Sequence, residues 1–144
     1  MAQNYKNHIR YYPPHHFVFY PVMLALMAFT AYKVWKDTHE RSLWIVLLGL
    51  AAVITWLAWM LRQHYALTLQ NRLVLAELRY RYYVLTGSRL EPLEEQLGEG
   101  RLFALRFATD GEFPSMVQRA LDEKLSPDAI KKSIQNWNAD NRRV

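Results

Sequence analysis

His15, His16 and His64 are the side chains whose type and placement point most directly to chemistry. His15 and His16 open one long apolar stretch, and His64 lies just past the end of another. Antiparallel packing of the two stretches would bring these imidazoles to one level, with His8 nearby. Neutral imidazole is a good ligand for zinc, copper or haem iron, so a haem- or metal-binding redox module is one reading of the chain. The competing reading is that these histidines hydrogen-bond to lipid headgroups or to backbone. The chain has no cysteine, which excludes a thiolate ligand, a thiolate nucleophile and a disulfide framework. No carboxylate completes a ligand set around the histidines. Other catalytic patterns are missing: there is no G-x-S-x-G, no H-E-x-x-H and no P-loop. Gly98-Glu99-Gly100 lacks the third glycine of a dinucleotide fingerprint. Glu94, Glu95, Asp122 and Glu123 belong to solvated helix surfaces rather than to a catalytic pair. The expectation is a protein that is not an enzyme and has no cofactor.

The elements that would position the histidines are two stretches free of Asp, Glu, Lys and Arg, Tyr11 to Tyr32 (22 residues) and Ser42 to Leu61 (20 residues). At about 1.5 Å per helical residue, each can cross a hydrocarbon core of roughly 30 Å. The spans are expected near 16–36 and 43–61, with residues 1–15 an interfacial segment and Pro21 in the first turns of the first helix. Tyr11, Tyr12, Phe17, Phe19 and Tyr20 mark one membrane boundary. Tyr32, Trp35 and Trp44 mark the other, and Trp56, Trp59 and Tyr65 return to the first. Two buried helices of a soluble core are the alternative, but such helices rarely lack all charge over this length. A cleaved signal peptide is the alternative for the first span, and the second span and the Pro/His cluster argue against it.

Only residues 33–41 link the spans, so they form a hairpin with both termini on one side. Lys6, Arg10, Arg62, Arg72, Arg79 and Arg81 flank the membrane there, against Lys33, Lys36 and Arg41 in the loop. The positive-inside bias then puts both termini in the cytoplasm. Ala25, Ala28 and Ala31, and Gly49, Ala52, Thr55 and Ala58, recur at spacing three. They suit close packing of the hairpin on itself, or a dimerisation seam. Neither span has an ionisable residue at its centre, which argues against a pump or transporter built from the hairpin alone.

No helix breaker follows Leu61 until Gly87, so the second helix is expected to run on through 62–85 into the cytoplasm. With Ala66 at heptad position a, the seam positions are Ala66, Leu69, Leu73, Ala76, Tyr80 and Tyr83. Arg72 of one chain could then reach Glu77 of a parallel neighbour. The competing reading packs this stripe on the chain's own C-terminal helices, and Leu67, Val74, Leu75 and Leu78 show that more than one face is apolar. Residues 88–138 read as a small bundle of short helices, and 139–144 as a polar tail. Ser88 and Glu91 form a capping-box pattern, with Gly98 closing that helix. RLFALRFA (101–108) is a second helix. Asp110 would cap a third, whose Phe113, Met116, Val117, Ala120 and Leu121 follow helical spacing. Ser126-Pro127-Asp128 starts a fourth, with Ile130, Ile134 and Trp137 on one face as a second contact surface. Four short helices make a marginal core alone, so this unit is expected to dock on the long helix, the membrane or a partner.

A pI near 9.6 and a mean hydropathy of −0.18 would suit a soluble nucleic-acid binder. Their distribution argues otherwise. Residues 1–85 hold nine Lys/Arg and three acids, whereas 86–144 hold nine and ten. The basic excess lies beside the membrane, where it serves orientation or anionic lipid rather than nucleic acid. The opening QNYKNHIRYYPPHHF (3–17), the two spans, LRFATDGEFPSMVQRAL (105–121) and SPDAIKKSIQNW (126–137) resemble a family of small bacterial membrane proteins of unknown function. Some members are labelled transporter permease components, which no residue here supports. The resemblance implies a bacterial source and a cytoplasmic-membrane location, and supplies no site residues. The expected architecture is all-α: a transmembrane helical hairpin, its second helix extended into the cytoplasm, and a small C-terminal bundle. The expected role is a scaffold or accessory subunit acting by protein–protein contact, as a homo-oligomer or in a larger membrane complex. A lipid or small-molecule site under the C-terminal unit is a weaker alternative.

Overall fold

Pro21 has no N–H to offer the residue one turn back, and the chain widens ahead of it. In the computed structural model, which describes residues 3–8 and 11–140, Pro14–Phe19 is π-helical, and the Tyr20 N–H donates to the His15 carbonyl five residues back. Helix α1 (Tyr20–Lys36) follows, so the helical run starts at Pro14 rather than near 16. Arg10 and residues 141–144 of the polar tail lie outside the described residues.

Residues 37–40 connect α1 to α2 (Arg41–Met60). The Asp37 carboxylate accepts from the Glu40 N–H at 3.2 Å, the Trp44 indole N–H at 3.3 Å and the Lys33 ammonium at 3.4 Å. The Glu40 N–H in particular, with Trp44 and Lys33, holds the Asp37 carboxyl below its ordinary range. Lys33 also lies over the Trp44 ring and Lys36 over Trp35. The two helices run antiparallel and in contact. The buried or half-buried positions are Tyr20, Met23, Met27, Thr30, Lys33 and Val34 on α1 and Trp44, Leu48, Ala51, Thr55, Ala58 and Met60 on α2. Of the small residues expected to pack the two helices together, Thr55 and Ala58 lie in the seam and the others do not. Ala25, Ala28, Ala31, Gly49 and Ala52 are exposed, and a Cβ added to Gly49 would meet nothing within 4 Å. The seam mixes large side chains (Met23, Met27, Val34, Trp44 and Leu48) with Thr30, Ala51, Thr55 and Ala58, at spacings of three and four. Thr30 and Thr55 donate to carbonyls of their own helices, Leu26 and Ala51, at 2.9 and 2.8 Å, so both hydroxyls are paired. Both helices are long and apolar enough to cross a membrane, and almost none of their most apolar stretches is buried.

Helical structure continues to Thr86 without interruption, but Leu61–Ala66 is a second π-helical segment, in which the Leu67 N–H donates to the Arg62 carbonyl. Ala66 therefore falls outside the α-phased part, α3 (Leu67–Thr86). The Gly87 N–H closes α3 on the Tyr83 carbonyl at 2.8 Å, with glycine supplying a φ of 71°. The described residues divide into two compact units, residues 11–68 and residues 69–140 together with 3–8.

In the second unit, α4 (Glu91–Leu105) is broken at Gly98, whose φ of 70° and ψ of 156° are open only to glycine. The expected capping box does not form. Leu90 is the cap residue, the Ser88 N–H is held by the Thr86 hydroxyl, and Glu91 pairs with Arg89. Helix α5 (Phe113–Asp122) buries Phe113, Met116, Val117 and Ala120 as the spacing requires. Glu112 rather than Asp110 precedes it, because Asp110 is held by Arg81. Helix α6 (Pro127–Ser133) starts as expected, with the Ser126 hydroxyl accepting from the Ala129 N–H at 3.1 Å. It ends at Ser133, so Ile134 and Trp137 lie beyond it in extended chain, and Trp137 forms an isolated bridge with Ala108. The core gathers Leu90, Leu97, Leu102, Leu105, Phe107, Phe113, Val117 and Ile130 around Leu78 of α3.

Candidate interaction surface

Helix α3 has two apolar faces, and the second unit uses only one. Val74, Leu75, Leu78 and Tyr82 pack into the core, with Leu78 1% exposed. The opposite face carries Leu69, Leu73, Tyr80 and Tyr83 at 59, 71, 71 and 58% exposure, with Ala76 exposed between them. In heptad terms positions b, c and f are buried, and a and d face outward. The competing expectation, that this stripe packs on the chain's own C-terminal helices, is thereby overturned, since the other face occupies that contact.

Arginines fix which way α3 is turned. Arg81 donates to Asp110 at 2.9 Å, to the Ala108 carbonyl at 2.8 Å and to the Arg106 carbonyl at 3.4 Å, and lies over the Phe113 ring. Arg79 holds Glu94 through two hydrogen bonds of 2.6 and 2.7 Å. On the exposed side, Arg72 and Glu77 have no ion-pair or hydrogen-bond partner among the described residues. Beside Glu77 an open groove of about 670 Å³ runs between α3 and residues 138–140, lined in part by Leu73, Val74, Arg81, Arg106 and Asp140. The Arg106 guanidinium faces Asp140 at 3.1 Å.

The second expected surface is already occupied. Ile130 and Ile134 are buried and Trp137 packs against them, all within the chain's own core. Part of that cover is the N-terminal segment, which sequence reasoning assigned to the membrane interface. The Tyr5 hydroxyl donates to Asp128 at 2.6 Å, and Lys132 lies over the Tyr5 ring. The His8 ring contacts Phe107 and Trp137 and approaches the Lys131 ammonium at 3.2 Å. The Gln3 side chain accepts from the Asp140 N–H at 2.7 Å. The opening motif and the SPDAIKKSIQNW motif thus meet in space.

The histidines do not assemble a ligand set. Among the described residues no three His, Asp or Glu side chains converge as metal ligands. His15 meets the Tyr20 hydroxyl at 3.1 Å and His16 the Tyr12 carbonyl at 3.0 Å, while His64 stands edge-on to Trp59. Adjacent residues on a helix point their rings in different directions, and here the rings of His15 and His16 lie at 81° to each other. Local partners engage them separately, and only His16 meets a backbone group.

A family model matches residues 1–144 from end to end. The chain belongs to DUF6526, a family of unknown function. No curated protein and no solved structure matches it. Membership in DUF6526 brings no assigned activity.

Proposed function

We propose that this is a small integral membrane protein of a bacterial cytoplasmic membrane, acting as a scaffold or accessory subunit through protein–protein contact. Helices α1 and α2 form the transmembrane hairpin, and the second unit lies in the cytoplasm with both termini. The near-complete exposure of their apolar surface supports the hairpin, since large apolar patches on soluble monomers are rare and lipid is the solvent that suits them. The excess of Lys/Arg on the terminal side supports the orientation. The single observation that carries the contact role is the outward apolar face of α3 beside a fully packed inner face.

The test uses the full chain in its native membranes. A photo-crosslinking residue replaces Leu73 or Tyr80 on the exposed face, or Gln118 on the exposed side of α5 as control. Discrete adducts from the two α3 positions, resolved by mass spectrometry and absent at Gln118, are the expected result. Absence of adducts from α3, or the same adducts from Gln118, rejects the contact role.

A further inference from the structure

We infer that the exposed face of α3 is closed by the same face of a second copy, parallel and in register, with Arg72 of each copy on Glu77 of the other. This rests on the reading of that face as a contact surface and names what occupies it. Leu69, Leu73, Ala76, Tyr80 and Tyr83 repeat at alternating spacings of four and three, the seam pattern of a two-stranded coil. The helix cannot turn to bury this stripe internally. Leu78 and Tyr82 are committed to the core, and the bonds of Arg79 and Arg81 fix the rotation.

Charge selects the occupant and its direction. Arg72 and Glu77 flank the seam on opposite sides, five residues apart. In a parallel in-register pair this is the spacing at which one flank meets the other copy's flank. Both groups are exposed and unpartnered among the described residues, and a two-fold axis along the seam satisfies both twice. The next flank position agrees. Five residues beyond Arg79 stands Val84, which offers no charge, and Arg79 is neutralised by Glu94 of its own chain. An antiparallel pair would set like flanks together and leave the Arg72–Glu77 complementarity unused. The seam covers only about two heptads, too short to associate strongly alone. Confinement of both copies to one membrane raises their effective concentration.

The natural absence of cysteine makes the test direct. Single cysteines are placed at Leu69, Leu73, Ala76 and Tyr80, and at Gln118 as control, in the full chain reconstituted in phospholipid vesicles. Mild oxidation is expected to give disulfide-linked dimers at all four seam positions and none at Gln118, because each seam residue faces its own counterpart only in a parallel register. Dimers at one seam position alone would show an antiparallel pair and overturn the inference. So would equal yields at Gln118, which would show random collision. Starting from Leu73→Cys, Arg72→Glu or Glu77→Arg should each lower the dimer yield roughly fivefold, and the double exchange should restore it. Singles without effect, or a double exchange no better than the singles, would also overturn it. If no seam cysteine forms dimers while native-membrane adducts at Leu73 contain a different protein, self-pairing fails and the contact surface stands. If both are missing, both readings fall.

Discussion

Arg81 is the residue on which the second unit turns. Its side chain is 14% exposed while its partner Asp110 is 68% exposed. The two ends of this ion pair should therefore respond differently to mutation. Arg81→Ala orphans two inward-facing carbonyls and empties the space over Phe113. It should cost about 2–4 kcal/mol by chemical or thermal unfolding of the full chain in detergent. Asp110→Asn keeps the carbonyl contacts and removes only a solvent-screened charge, so its cost should stay below about 1 kcal/mol. Equal losses would mean that the carbonyl contacts contribute little. Arg81 also shows why the sequence misplaced a helix start. Asp110 has the residue type and position of a cap, but an arginine 29 residues earlier takes its carboxylate. A cap is a local signal, and a competing charge from another element leaves no trace in the neighbouring residues.

At the scale of elements, what the sequence disclosed was whatever depends on residues within a turn or two. The Ser126 cap, the inward spacing of α5 and the stop at Gly98 are of this kind. Replacing Ser126 with Ala should cost about 1 kcal/mol, read as a lowered thermal midpoint. What stayed hidden depends on distant partners: which apolar face of α3 is covered, and where residues 3–8 dock. The docking carries its own pH signature. The hydrogen bond to Asp128 raises the Tyr5 hydroxyl above the ordinary tyrosine range. Lys132 first, and then Tyr5, holds the Asp128 carboxyl below its ordinary range. The raised tyrosine stabilises the folded state below its unfolded pKa, and that contribution is lost as pH rises through the raised value. The lowered aspartate stabilises it above the unfolded carboxylate pKa, and that contribution is lost as pH falls through the lowered value. The difference in thermal midpoint between the native chain and Tyr5→Phe should hold constant through neutral pH and shrink toward both extremes. A difference that does not shrink as pH rises through the raised tyrosine value would reject the assigned hydrogen bond.

The docking of residues 3–8 on α6 also constrains the whole molecule, independently of any charge-bias rule. Tyr5 and Asp128 share a hydrogen bond, so the segments around them must share one side of any membrane that the chain crosses. If both helices cross the membrane, as proposed above, the short connection puts residue 38 on the other side. Lys6, Thr38 and Gln118 are exposed and can each be replaced by a single cysteine. In sealed right-side-out vesicles, an impermeant maleimide should label Thr38→Cys directly, and Lys6→Cys and Gln118→Cys only after permeabilisation. Each departure removes a different step. Labelling of Lys6→Cys and Gln118→Cys from opposite sides would break the docking. Labelling of all three from one side would remove the hairpin. The reverse pattern, with only Thr38→Cys protected, would keep both spans and invert the orientation, placing the exposed face of α3 outside the cell. In that case the six basic residues flanking the termini would have been outweighed, and the search for whatever meets the Leu73 stripe would move to the other side of the membrane.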